Sequence, residues 1–229
     1  MEDWRSILYP LGFVANVLFA ARFFMQWISS EKKSFSHFSL SFWLISLFGS
    51  LLLAVHSFIQ VQYPICLIQT CNVILYWRNW ELTSYPRSCL ISLQKVSLLL
   101  AFLTVSMTLS FMAVSYFTLG TIEWMRVPDF IEQHPHPISL TWNIIGFFGT
   151  FLFASRFWFH WWRAENNYKN ALNSHFWILS VVGSLFALAY FIRIADIVNI
   201  IGYSAGLIPY LRNLFLIRKA NQLVKADPT

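Results

Sequence analysis

Two arginines stand where an arginine is expensive. Arg22 and Arg156 each lie inside an apolar run of about twenty residues, a few positions before its end. A guanidinium at mid-bilayer costs roughly 2.5–3.5 kcal/mol on insertion scales, and less near the interface or beside a wet cavity. Spacings of three and four place Ala15, Phe19, Arg22 and Gln26 on one helical face, and Gly149, Phe153, Arg156 and His160 on another. Each face joins a small residue, a cation and a polar group. Two further arginines sit in matching stretches, Tyr76-Trp77-Arg78-Asn79 and Tyr210-Leu211-Arg212-Asn213. A guanidinium is a planar fork that stays charged and matches phosphate, so this set suits an anionic lipid head group or a sugar phosphate. The candidate binding residues are therefore Arg22, Arg156, Arg78, Arg212, Asn79, Asn213, Gln26, His160, Tyr76 and Tyr210. The competing reading has Arg22 and Arg156 paired with Glu31 and Glu165 as counter-ions, with Arg78 and Arg212 anchoring helix ends.

The elements that hold these residues are membrane helices. Of 229 residues, 57% are apolar, 19% aromatic and 11% charged, where a soluble domain carries roughly 25% charged residues. The apolar residues fall into seven blocks, about 7–28, 38–60, 62–80, 96–119, 139–162, 173–194 and 196–217, each close to the length that crosses ~30 Å of hydrocarbon. The longest stretch between them, about 120–138, is too short to fold alone. In a seven-span chain, Arg5, Arg126 and Arg193 fall on one side. Lys32, Lys33, Arg78, Arg87, Lys95, Arg163, Lys169, Arg212, Arg218, Lys219 and Lys225 fall on the other. The positive-inside rule then places the amino terminus outside and the carboxyl terminus in the cytoplasm. The start, Met1-Glu2-Asp3-Trp4-Arg5, lacks a positive n-region and a cleavage site, so the first span is expected to be permanent.

The chain repeats itself. Shifting it by 134 residues aligns 12–82 with 146–216 without a gap, and rare residues coincide: Arg22 with Arg156, Trp27 with Trp161, Glu31 with Glu165, Trp43 with Trp177, Gly49 with Gly183, Tyr76 with Tyr210, Arg78 with Arg212 and Asn79 with Asn213. Three helices per copy is an odd number, so a seventh helix between the copies restores a common orientation. The expected fold is all-α and transmembrane, seven helices as two parallel three-helix repeats joined by a linker helix. The expected units are 1–92, 93–125 and 126–229.

Several chemistries find no support. No GxSxG, GxxxxGK[ST] or HExxH stretch occurs, and no two carboxylates share a membrane face, which disfavours an enzyme. The net charge of +6 is spread over short loops instead of a single patch, which argues against nucleic acid. Cys66, Cys71 and Cys89 have neither the count nor the spacing of a disulfide or zinc framework. His134-Pro135-His136 with Asp129 and Glu132 lacks four ligands at a diagnostic spacing, so neither a metal nor a cofactor is expected. Dense tryptophans such as Trp77, Trp80, Trp158, Trp161 and Trp162 read as an interfacial belt. Gly202-x-x-x-Gly206 reads as a helix-packing face and Pro209 as a bend.

The second copy, through Gly146-Phe147, Arg156-Phe157, Trp161, Phe176-Trp177, Ser180, Gly183 and Gly202-x-x-x-Gly206-Leu207-x-x-Tyr210-Leu211-Arg212-Asn213, resembles the lipid A biosynthesis N-terminal domain family. The first copy resembles it through Gly12-Phe13, Arg22-Phe23, Gln26-Trp27, Ser30-Glu31-Lys32, Phe42-Trp43, Gly49 and Tyr76-x-Arg78-Asn79. That module is found fused to lipid-A-disaccharide synthases and belongs to the wider PQ-loop and SWEET group. The resemblance implies a role in lipid A or other lipid-linked sugar metabolism at a Gram-negative inner membrane. It does not imply the synthase reaction, which needs a soluble nucleotide-sugar-binding domain that these residues do not supply.

Three functions follow as expectations. The first is binding or translocation of a phosphorylated glycolipid or polyprenyl-phosphate sugar through its head group. The second is a non-catalytic anchor that recruits a soluble glycosyltransferase, its partner, to a lipid substrate. The third is a SWEET-like sugar carrier. An oligomer is compatible with all three.

Overall fold

Helices form where the apolar blocks predict them. The computed structural model describes residues 4–33, 39–122, 139–167 and 174–226. Its elements are α1 (Trp4–Leu8), α2 (Leu11–Lys33), α3 (Leu40–Ile59), α4 (Tyr63–Ser84), α5 (Leu93–Leu119), α6 (Leu140–Asn167), α7 (Ser174–Arg193), α8 (Ile197–Ala205) and α9 (Leu207–Ala226), with a short 3-10 turn at Arg87–Cys89.

Prolines account for two departures from the expected spans. The first block opens as α1 and restarts as α2 at Leu11, because Pro10 has no N–H and its ring blocks the carbonyl four residues back. The last block is broken between α8 and α9 at Gly206, where a bend was expected at Pro209. The cause is the same: Pro209 cannot donate to the carbonyl of Ala205, so the helix stops one turn ahead of it and restarts.

Among the described residues, four stretches are long and apolar enough to cross a membrane: Leu40–Ile59, Leu93–Thr118, Ser174–Arg193 and, taking α8 and α9 together, Ile197–Arg218. A shorter apolar run covers Leu11–Gln26 of α2. α4 is long as well, yet it carries Asn72, Arg78, Asn79 and Glu81, all buried against neighbouring helices. A helix surrounded by protein can hold polar groups that lipid would reject. α5 is the opposite case. It packs on α4 and leaves Leu98, Phe102, Val105, Leu109 and Phe117 exposed, an apolar surface suited to acyl chains.

The turns before α4 and α8 are built alike. After α3, the Val61 N–H donates to Phe58 O and the Gln62 N–H to Ser57 O. After α7, the Ala195 N–H donates to Ile192 O and the Asp196 N–H to Phe191 O. Both are Schellman closures, with Val61 at φ 58° and Ala195 at φ 55°. Non-glycine residues pay about 1–2 kcal/mol for that backbone, and here the same strained position occurs 134 residues apart.

α2 packs on α3 and α3 on α4. α6 packs on α7, and α7 on α8 and α9. Gly49 and Gly183 permit the first contact in each set. An added Cβ would stand 2.7 Å from the Phe19 ring at Gly49, and 2.6 Å from the Phe153 backbone nitrogen at Gly183. The two sets meet through α4 against α6 and α2 against α8 and α9. Tyr76 meets Phe157 with ring centres 4.9 Å apart, and Phe23 meets Tyr210 at 5.0 Å. The central core holds Phe23, Phe42, Trp43 and Tyr76 together with Phe157, Phe176, Trp177 and Tyr210. Between apolar helices in lipid, this close packing supplies the cohesion that water would otherwise drive.

Gly183→Val should lower stability by about 1–3 kcal/mol, because the facing atom is backbone and cannot turn aside. Thermal unfolding of the purified protein in detergent measures the loss, and an unchanged midpoint would contradict the packing described.

Candidate functional site

α2 and α6 carry Arg22 and Arg156 into the interior, where Arg22 is 3% exposed and Arg156 0%. Among the described residues no well-aligned hydrogen bond reaches Nε and Nη1 of Arg22 or the three guanidinium nitrogens of Arg156, although the Tyr210 hydroxyl lies near enough to Arg156 to interact with it. Aromatic faces surround them instead. The Arg156 guanidinium carbon lies 3.5 Å from the centre of the Phe153 ring, 4.7 Å from Phe157, 5.0 Å from Tyr210 and 5.7 Å from Phe23. That of Arg22 lies 4.3 Å from Phe19, 4.7 Å from Phe23, 5.3 Å from Tyr76 and 5.5 Å from Phe157. Each cation therefore faces rings from both sets of helices, and the two share Phe23 and Phe157. Desolvated cation–π contacts are worth about 2 kcal/mol each, which tolerates a buried guanidinium but leaves its N–H groups unused.

The two arginines line one cavity together with Asn16, Phe19, Gln69, Asn72, Tyr76, Asn199, Tyr203 and Tyr210. It leaves about 50 Å³ for small occupants, room for a few water-sized groups at ~10–15 Å³ each, or for one group with the bulk of a phosphate. Among the described residues, no carboxylate lines it. Two positive charges, unused donors and ring walls make a place for an anion.

The remaining sequence candidates divide. Tyr76 and Tyr210 join the arginines at the cavity. Arg78 lies elsewhere, in a buried ionic knot: its Nη1 donates to Glu81 at 2.7 Å and to Ile91 O at 2.9 Å, and its Nε to Glu165 at 2.7 Å. Glu165 thus serves Arg78, and also accepts from Trp161 Nε1 at 3.0 Å. It is not the counter-ion of Arg156. The Ile91 N–H closes on Glu81 at 2.8 Å, and Arg87 donates to the carbonyls of Ala164 and Glu165. This knot ties the α4–α5 connection to the end of α6. Arg212 lies over Phe215 at 5.6 Å, where the first copy has Glu81. Asn79 and Asn213 each donate back to the carbonyl four residues earlier, Leu75 and Pro209, and Asn79 Oδ1 also meets His160 Nδ1 at 3.2 Å. Gln26 is buried, at 2% exposure. The Glu31 side chain, Asp129, Glu132, His134 and His136 lie outside the described residues.

Sequence reading missed a second polar cluster. Asp196 is fully buried and accepts from Gln62 Nε2 at 2.6 Å, Asn199 Nδ2 at 2.8 Å and the Tyr9 hydroxyl at 3.3 Å. Gln62 and Asp196 occupy the same position in the two copies, so an equivalent pair meets directly across the interface. Asn16 donates to Val198 O at 2.6 Å beside them. The signal was present as lone polar residues in apolar blocks, but a search for residues shared by both copies passes over those that differ.

The fold and site define a helical, membrane-type bundle built from a duplicated unit with paired cations at its middle. The lipid A biosynthesis N-terminal domain model matches residues 11–81 and again 145–215, and the chain belongs to that family. Among curated proteins, it is 36% identical over 219 residues to a lipid-A-disaccharide synthase of Chlamydia caviae, 37% over 217 residues to that of Chlamydia felis and 38% over 214 residues to that of Chlamydia pneumoniae. These matches cover 96%, 95% and 93% of this chain and 34% of each relative, so the chain spans about a third of their length. No solved structure matches.

Arg78→Met should cost up to about 3–5 kcal/mol, since it leaves the buried Glu81 without its cation and takes the nearest cation from the half-buried Glu165. The triple change Arg78→Met, Glu81→Leu, Glu165→Gln should recover part of that loss. Denaturant titration in detergent micelles compares the two, and a triple variant less stable than the single one would argue against the knot as drawn.

Proposed function

We propose that this protein serves lipid A or related lipid-linked sugar metabolism by binding the phosphorylated head group of an anionic glycolipid or polyprenyl-phosphate sugar, as a step in its handling or translocation. One observation carries this reading: two buried guanidinium groups, one from each copy, line a common cavity with unused donors and, among the described residues, no carboxylate. A phosphate there would accept charge-assisted hydrogen bonds from both and relieve their mutual repulsion.

The same reading takes the chain as seven spans, two three-helix units in parallel about an axis along the membrane normal. Reciprocal contacts support it: Arg22 over Phe157 mirrors Arg156 over Phe23, and Tyr76–Phe157 mirrors Phe23–Tyr210. The positive-inside rule puts the amino terminus outside and the head-group end of the cavity toward the cytoplasm, so the ligand enters from the inner leaflet of the bacterial inner membrane.

Binding of undecaprenyl phosphate to the protein in lipid nanodiscs tests the assignment. Each charge-assisted hydrogen bond is worth about 1.5–3 kcal/mol, so Arg22→Gln with Arg156→Gln should weaken binding at least 100-fold. Unchanged binding refutes the site.

A second reading is an anchor that holds a glycosyltransferase at its lipid substrate. It is favoured by the share of the synthase relatives that this chain matches, about a third of each. It expects a soluble glycosyltransferase to co-purify and to be lost when the chain is cut at Arg218. Binding of the lipid phosphate with no such partner favours the first reading.

A further inference from the structure

The cavity has two unlike ends. Along α2 it runs from Asn16 to Arg22, and along α4 from Gln69 and Asn72 to Tyr76. Along α8 and α9 it runs from Asn199 to Tyr210. Along α2 and α4 a carboxamide lies one to two helical turns before the cation or ring of the charged end, and Asn199 lies about three turns before Tyr210, across the break between α8 and α9. The charged end obeys the duplication, since Arg22, Phe23 and Tyr76 recur as Arg156, Phe157 and Tyr210. The carboxamide end does not. The counterparts of Asn16, Gln69 and Asn72 are Thr150, Tyr203 and Gly206, and that of Asn199 is Ile65.

Carboxamides within membrane helices carry a desolvation cost, and each of these four makes at least one hydrogen bond to protein. Gln69 accepts from Ser50 at 2.9 Å and from Asn72 Nδ2 at 3.3 Å. Asn16 donates to Val198 O and Asn199 to Asp196. Asn72 is held by its amino group alone. Its carbonyl oxygen has no donor, although the residue is 4% exposed and lines the cavity. A buried acceptor left open costs about 1–3 kcal/mol, and a ligand hydroxyl would remove that cost.

We infer that Asn72, braced by Gln69, with Asn16 and Asn199 on the facing helices, forms a hydroxyl-reading subsite for the sugar attached to the phosphate. The inference rests on the phosphate reading above and narrows its ligand to a glycosyl phosphate, as opposed to a lipid with a bare phosphate head. The symmetric arginines take the charge, which has no handedness, and the asymmetric carboxamides read the sugar, which has one. A pyranose ring exceeds the resting space of about 50 Å³, so the subsite entails that the helices lining the cavity separate when the sugar enters.

Two probes separate this subsite from the phosphate site: undecaprenyl phosphate and undecaprenyl phosphoryl-glucose, titrated against the whole protein in nanodiscs. The glucosyl probe should bind about tenfold tighter. Asn72→Leu and, as a milder change that keeps a polar group, Asn72→Ser should each erase that preference while binding of the sugar-free probe persists, which also shows that the variants fold. Equal binding of both probes by the wild type, or a preference that survives in both variants, overturns the subsite and leaves the phosphate reading standing. Failure of the wild type to bind either probe overturns the phosphate reading and this inference with it.

Discussion

Two guanidinium groups held in aromatic cages, with no carboxylate among the described residues of their cavity, set the terms for the rest of the molecule. Burying one charge in a low-dielectric interior is unfavourable, and burying two of the same sign in one cavity more so. The rings of Phe19, Phe23, Tyr76, Phe153, Phe157 and Tyr210 offset part of that cost from both faces. Gly49 and Gly183 let α3 and α7 close on α2 and α6 at Phe19 and Phe153, the rings nearest the two cations. Glycine, ring and cation are therefore one arrangement.

The second ionic feature works in the opposite way. Arg78 is as buried as Arg22 but fully engaged, by Glu81, Glu165 and the Ile91 carbonyl. A satisfied buried pair holds position and has little left to offer a ligand. Chemical identity alone does not separate the two kinds of arginine. What separates them is whether a carboxylate has reached the fork first.

Duplication explains the mixture of symmetry and difference. Arg22, Phe23 and Tyr76 touch the other copy and persist there as Arg156, Phe157 and Tyr210. Positions farther along the cavity see one environment each and are free to diverge, as Asn72 and Gly206 have done. Glu81 and Phe215 diverge in the same manner at the other end: one copy has an ion pair where the other stacks its arginine on a ring.

Much of this was legible in the residues themselves. Apolar block length indicates the helices, since crossing ~30 Å of hydrocarbon takes a defined number of residues. The 134-residue offset reveals the repeat, and the cost of an arginine in an apolar run singles out Arg22 and Arg156. Proline chemistry announces a fault near residue 209, though its place at Gly206 depends on which carbonyl loses its donor. The partners were not legible. That Glu165 binds Arg78 and leaves Arg156 unmatched, that Gln62 meets Asp196 across the copies, and that Asn72 keeps an open acceptor are long-range facts. They are decided by which helices pack together, because one helix specifies its own face and spacing but not what arrives opposite it.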